Sequence, residues 1–158
     1  MKRLFSLIGI FVLISSFKTE IKQDILLHIN HLNKLELLSV DDKCGEWGGN
    51  EKQLIIYRDD FKGPLLADYS EKTKNCNNGS VPQVTESITR IKVTEEESKL
   101  IIEAINELCE SKMAREDYPS HSGIFNRIML SDSSLIITDF PSVELKKFGK
   151  LVGKIKQK

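Results

Sequence analysis

The sequence predicts an α+β domain, an antiparallel or mixed five-stranded sheet with helices packed on it, in the order α-β-β-β-α-β-β-α. Three observations carry that prediction. Short apolar runs are joined by hairpin-like loops, Asp59-Asp60-Phe61-Lys62-Gly63-Pro64 and Ser131-Asp132-Ser133-Ser134. Helical periodicity is confined to an early, a middle and a final segment. Hairpins dominate the strand-to-strand connections, and only the one through the middle helix could be a crossover.

Taken in order, Glu20 to Leu38 reads as a helix, with Ile21, Ile25, Ile29 and Leu32 spaced four, four and three along one stripe. The segment Cys44-Gly45-Glu46-Trp47-Gly48-Gly49-Asn50, with three glycines, ends it. Lys52 to Arg58 is a strand, and Leu54 to Tyr57 make it apolar on both faces, as expected of an interior position. Leu65 to Tyr69 is the second strand, followed by a polar loop from Lys72 to Pro82. Thr85 to Val93 is the third, with Thr89, Ile91 and Val93 on one face.

Thr94 and Glu97 then form a capping box for a helix over about 95–114, and Glu95, Glu96 and Glu97 suit the positive end of its dipole. Asp117 to Gly123 is a loop. Ile124 to Leu130 and Leu135 to Thr138 are the fourth and fifth strands. Pro141-Ser142 opens a last helix running to about Lys156, with Phe148, Leu151, Val152 and Ile155 on one face. Gly149 and Gly153 on that helix offer close approach to the sheet.

The first sixteen residues have the order of a cleavable signal peptide: Lys2-Arg3, an apolar run from Leu4 to Ile14, then Ser15-Ser16. A membrane-spanning helix needs about 20 apolar residues, more than this run supplies. The expected mature chain is a single exported domain, 17–158, secreted or periplasmic. Removing residues 1–16 takes away Lys2 and Arg3 and no acid, leaving 21 Lys+Arg against 23 Asp+Glu. That balance lacks the footprint of a nucleic-acid binder. It also lacks the charge excess of a disordered chain.

Export makes cysteines informative, because disulfides persist outside the cytoplasm. Cys44 and Cys76 both lie in loop-like sequence, whereas Cys109 sits beside the apolar face of the middle helix. The expected pairing is therefore Cys44 with Cys76, with Cys109 left as a small hydrophobe. By the chain-entropy relation such a bond stabilises the fold by roughly 3–4 kcal/mol.

Four constellations bear on function. Glu46, Trp47, Gly48 and Gly49 place the chain's single tryptophan and a carboxylate on a glycine-rich turn, the pattern of a recognition loop. His121, in Pro119-Ser120-His121-Ser122-Gly123, is a loop histidine that could act as acid or base with Glu46, Asp117 or Asp139, or as the base for a Cys44 thiolate. Asp24, His28 and His31 would line one edge of the first helix as metal ligands. Lys146, Lys147, Lys150, Lys154, Lys156 and Lys158 make the last helix basic, a pattern that suits either an anionic membrane surface or a solvated helix end. Asn78-Gly79-Ser80 matches a glycosylation acceptor, relevant only in a eukaryotic host.

The sequence shows no Gly-rich phosphate loop, serine elbow or clustered calcium-type carboxylates, and no cofactor is expected. The leading expectation is a non-enzymatic exported domain that binds an extracytoplasmic protein, of the inhibitor or immunity type. The alternatives are a small hydrolase using His121 with Glu46 or Cys44, and a metal-binding protein using Asp24, His28 and His31.

Overall fold

The structure, a computed structural model, describes residues 25–78, 81–116 and 118–158. Among them are six strands, β1 Leu35–Val40, β2 Glu51–Tyr57, β3 Leu66–Thr73, β4 Gln83–Lys92, β5 Ile124–Leu130 and β6 Ile136–Ser142. Two helices accompany them, α1 Glu95–Met113 and α2 Lys146–Ile155. All neighbouring strands pair antiparallel in the order β4-β3-β2-β1-β5-β6. The first four form a meander; α1 carries the chain from the β4 edge back to β5, beside β1.

Both helices pack on one side of the sheet. Ile101, Ala104 and Leu108 of α1 and Leu151 and Ile155 of α2 are fully buried in one cluster with Leu35, Leu37, Leu54, Ile56, Tyr69 and Ile128. Strand parity decides which residues reach that cluster, since alternate side chains point to opposite faces. Leu35 and Leu37 go to the helices; Glu36, Leu38 and Val40 go to the other side, which neither helix covers. The α1 start is as the sequence foretold. Thr94 Oγ1 accepts from the Glu97 amide at 3.3 Å, and the Glu97 carboxylate accepts from the Thr94 amide at 2.7 Å.

The first predicted element is corrected. Its residues 20–24 lie outside the described residues, but 25–34 form turns and Leu35–Val40 is a strand, so the sheet has six strands, not five. Asn30 explains the turn: its Oδ1 accepts from the amides of Leu32 at 2.8 Å and Asn33 at 3.0 Å. Such local side-chain bonds compete with helix. Ile29 is buried but Leu32 is 78 % exposed, so the apparent stripe is not one face. The last helix starts at Lys146 rather than Pro141, because Pro141 and Ser142 finish β6, an edge strand where a missing amide costs no ladder bond.

On β4 the face also differs from expectation. Tyr69 pairs with Ile88 and Ala67 with Ile91, with a bulge between them and Arg90 at φ 58°. The extra residue therefore turns Ile88 and Ile91 onto the same face. Gly149 and Gly153 do not serve close packing: a Cβ on either would meet nothing within 4 Å.

Candidate functional site: the pinned Trp47 loop and the open sheet face

The β1–β2 connection, residues 41–50, is held at many points. Gly45–Trp47 form one 3-10 turn, with Gly45 at φ 62° and Gly48 at φ 74°, angles that glycine adopts without a Cβ penalty. The Cys44 amide donates to the Gly48 carbonyl at 2.8 Å, and the Gly48 amide to the Gly45 carbonyl at 3.0 Å. Asp41 Oδ1 accepts from the amides of Lys43 and Asn50, at 3.1 and 2.8 Å, while Asn50 Nδ2 donates to Asp41 Oδ2 at 3.0 Å. Gly49 is packed so closely on that aspartate that a Cβ would lie 1.8 Å from Asp41 Oδ1.

A second set of ties runs to the β3–β4 connection. Cys44 is joined to Cys76 with a Cα–Cα separation of 5.1 Å, within the range a disulfide spans without moving backbone. The Lys74 amide donates to Asn50 Oδ1 at 3.1 Å, and the Lys74 ammonium donates to the Trp47 carbonyl. Despite this clamping Trp47 is 69 % exposed, and Glu46 is exposed beside it. Next to the disulfide is a shallow groove of about 550 Å³, lined by Lys43, Lys74, Asn77 and Thr85 among others.

The loop borders the uncovered side of the sheet. Val40 pairs with Glu51 and with Phe125, so their side chains share that face. A Cβ on Gly48 would stand 3.7 Å from Val40 Cγ1, so the loop backbone runs beside it. Beyond Val40 the face carries Leu38, Phe125 and Met129, half-buried, and Ile136 and Phe140, 57 % and 44 % exposed. In its polar centre Arg127 donates through a terminal nitrogen to Glu36 Oε1 at 2.7 Å and Gln53 Nε2 donates to Glu36 Oε2 at 3.1 Å, while Arg127 Nε is buried without a partner among the described residues.

The other sequence candidates are not brought together. His121 is exposed and makes no hydrogen bond to a described residue; it shares with Glu46 only the same end of the sheet, because β5 begins where β1 ends. Asp117 lies outside the described residues. The Cys44 sulfur is bonded to Cys76, so no thiolate stands there, and Cys109 is unpaired and half-buried. Asp24 also lies outside the described residues. His28 sits on a turn with Nε2 3.4 Å from Asp132 Oδ2, and His31 meets the Phe61 ring edge-on at 6.2 Å, so the helical spacing that suggested a metal set is absent. Among the described residues no three His, Cys, Asp or Glu side chains are grouped to hold a metal ion.

Much of the basic charge of the C-terminal segment, α2 and the residues after it, is paired within the fold. Lys147 meets Glu103 at 2.6 Å, Lys154 meets Glu96 at 3.0 Å, and Lys156 bridges Glu71 and Glu86. Lys158, just past the helix, donates to Glu97 at 2.7 Å. The Lys156 ammonium holds the Glu71 carboxyl below its usual range, against the opposing effect of burial. Burial also works to raise Glu97, but Lys158 and the Thr94 amide and hydroxyl outweigh it and leave that carboxyl lowered.

Sequence reasoning passed over the open face and a buried polar cluster formed by Arg115, Asn126 and Asp139. The cluster is readable from alternation: Asn126 and Asp139 interrupt the apolar parity of β5 and β6, where an apolar helix-facing residue was due. Set against protein-family models, curated proteins and solved structures, the chain matches none.

Proposed function

We propose that the mature chain is an exported, non-enzymatic binding domain of the inhibitor or immunity type, and that it engages a protein partner outside the cytoplasm through the Trp47 loop. The observation that carries this reading is Trp47 itself, 69 % exposed on a turn clamped by a disulfide and a set of backbone bonds. A large aromatic left in water on ordered backbone is the side-chain type and setting from which binding hot spots are drawn. Ordering the loop beforehand also removes entropy that association would otherwise cost. The adjoining face supplies Phe125, Met129 and Arg127, residue types enriched at interfaces, with Arg127 held in place by Glu36.

Export rests on the pattern of residues 1–16 and is supported by the Cys44–Cys76 bond, which persists in oxidising compartments. Among the described residues no helix is long and apolar enough to cross a membrane. The local pairing of the α2 lysines leaves membrane-surface contact the less favoured role for that helix.

The test is capture from an envelope or culture extract on immobilised mature protein, with Trp47→Ala alongside. Partners retained by the wild type and lost by the variant are expected. No retained partner, or equal retention by both, overturns the assignment.

A further inference from the structure

On the helix-covered side of the sheet, near the start of β5, three polar side chains meet on the face opposite the one that the Trp47 loop borders. Asn126 and Asp139 are direct partners across β5 and β6, and both are completely buried. Arg115, just beyond α1, donates through one terminal nitrogen to Asp139 Oδ1. Each of the three leaves one buried atom with no partner among the described residues: Asn126 Oδ1, Asp139 Oδ2 and Arg115 Nε. The orientation of the Asn126 amide is settled by its surroundings. Its Nδ2 donates to the Val143 carbonyl and to Ser142 Oγ, both at 2.8 Å, and a carbonyl only accepts.

Buried polar atoms are nearly always satisfied in folded proteins. Three orphans gathered around one residue pair therefore point to a bound molecule. Their chemistry specifies it: two acceptor oxygens ask for two donated hydrogens, and one N–H asks for a lone pair. Charge narrows the choice further. The Asp139 carboxylate is already offset by the Arg115 guanidinium, so a cation would give the buried cluster net charge, and uncompensated buried charge is costly. An anion would face two acceptor oxygens.

A neutral molecule with two O–H donors and a free lone pair remains, and buried waters typically make about three hydrogen bonds. We propose that this cluster is an integral water site, in which one molecule donates to Asn126 Oδ1 and Asp139 Oδ2 and accepts from Arg115 Nε–H. The water ties the segment after α1, which leads to His121, into the β5–β6 hairpin.

The experiment is a crystal structure of the oxidised mature protein at a resolution that places waters, paired with water-to-protein cross-relaxation by NMR. One density peak about 2.7–3.2 Å from all three atoms is expected, with a cross-peak from a long-lived water to Arg115 Nε–H. An Arg115 side chain that forks onto both Asp139 oxygens, with no peak and no cross-peak, overturns the proposal. So does a peak surrounded by several oxygens at about 2.4 Å, the distance of a bound cation.

Discussion

Leu37 and Leu38 are neighbours on β1 with opposite fates. Leu37 is 1 % exposed beneath α1 and α2, whereas Leu38 is half-buried on the side that neither helix covers. The covered side is assembled from aliphatic residues that interlock with two helices, and it carries the stability of the fold. The open side mixes aromatic and Met residues around an Arg127–Glu36 pair and ends at a tryptophan on a pinned turn. One sheet thus divides its labour by strand parity: one face folds the chain and the other is left presentable.

The sharpest way to break that comparison is to truncate the two leucines. Leu37→Ala is expected to cost about 2–5 kcal/mol, through lost transfer energy and the cavity left behind. Leu38→Ala is expected to cost about 1 kcal/mol or less, because its side chain already meets solvent. Urea unfolding of both variants checks this; equal losses would mean that the open side is as much core as the covered one.

A second comparison concerns the pin. Replacing Cys44 and Cys76 with alanine is expected to lower stability by roughly 3–4 kcal/mol on the chain-entropy relation. It should also loosen the loop, which fluorescence anisotropy of the single tryptophan reads directly in a variant that remains folded. Unchanged anisotropy would show that the hydrogen bonds around Asp41, Asn50 and Lys74 hold Trp47 without the disulfide.

Smaller effects belong to the covered side's polar staples. Removing the Lys158 ammonium with Lys158→Met leaves the nearly buried Glu97 carboxylate with only its Thr94 partners, at an expected cost of about 1–2 kcal/mol. The sign with pH is fixed by the lowered Glu97 value. Its stabilisation is present above the unfolded glutamate pKa of about 4.3 and is lost as pH falls through the lower folded value. The unfolding midpoint of Lys158→Met should therefore fall less steeply on acidification than that of the wild type. At the small end, Lys147→Gln removes an exposed pair with Glu103 and should leave the midpoint unchanged within error.

The α+β class, the α1 helix with its capping box, the β5 strand and the disulfide were all legible in the sequence, because each rests on local chemistry: a Thr-to-Glu spacing, a period, two loop cysteines. The first element was misread for an equally local reason. Ile25, Ile29 and Leu32 mimic a helical stripe, and only the Asn30 turn and the pairing of Leu35–Val40 between β2 and β5 reveal a strand. The lysines of α2 and of the residues just after it looked like a surface signal because their partners Glu71, Glu86, Glu96, Glu97 and Glu103 lie far away in sequence. At the candidate site the composition of the Trp47 turn was readable, but its continuity with Val40 and Phe125 depends on sheet order, which no single segment encodes.

The central claim is that the exposed, pinned Trp47 is an anchor for a protein partner. Calorimetric titration of a captured partner with the wild type and with Trp47→Ala tests it most directly. A hot-spot tryptophan contributes at least about 2 kcal/mol, so the account predicts an affinity loss of about 30-fold or more, in a variant whose unfolding midpoint is unchanged. Affinities within about twofold of each other would contradict it, since that interval is under 0.5 kcal/mol.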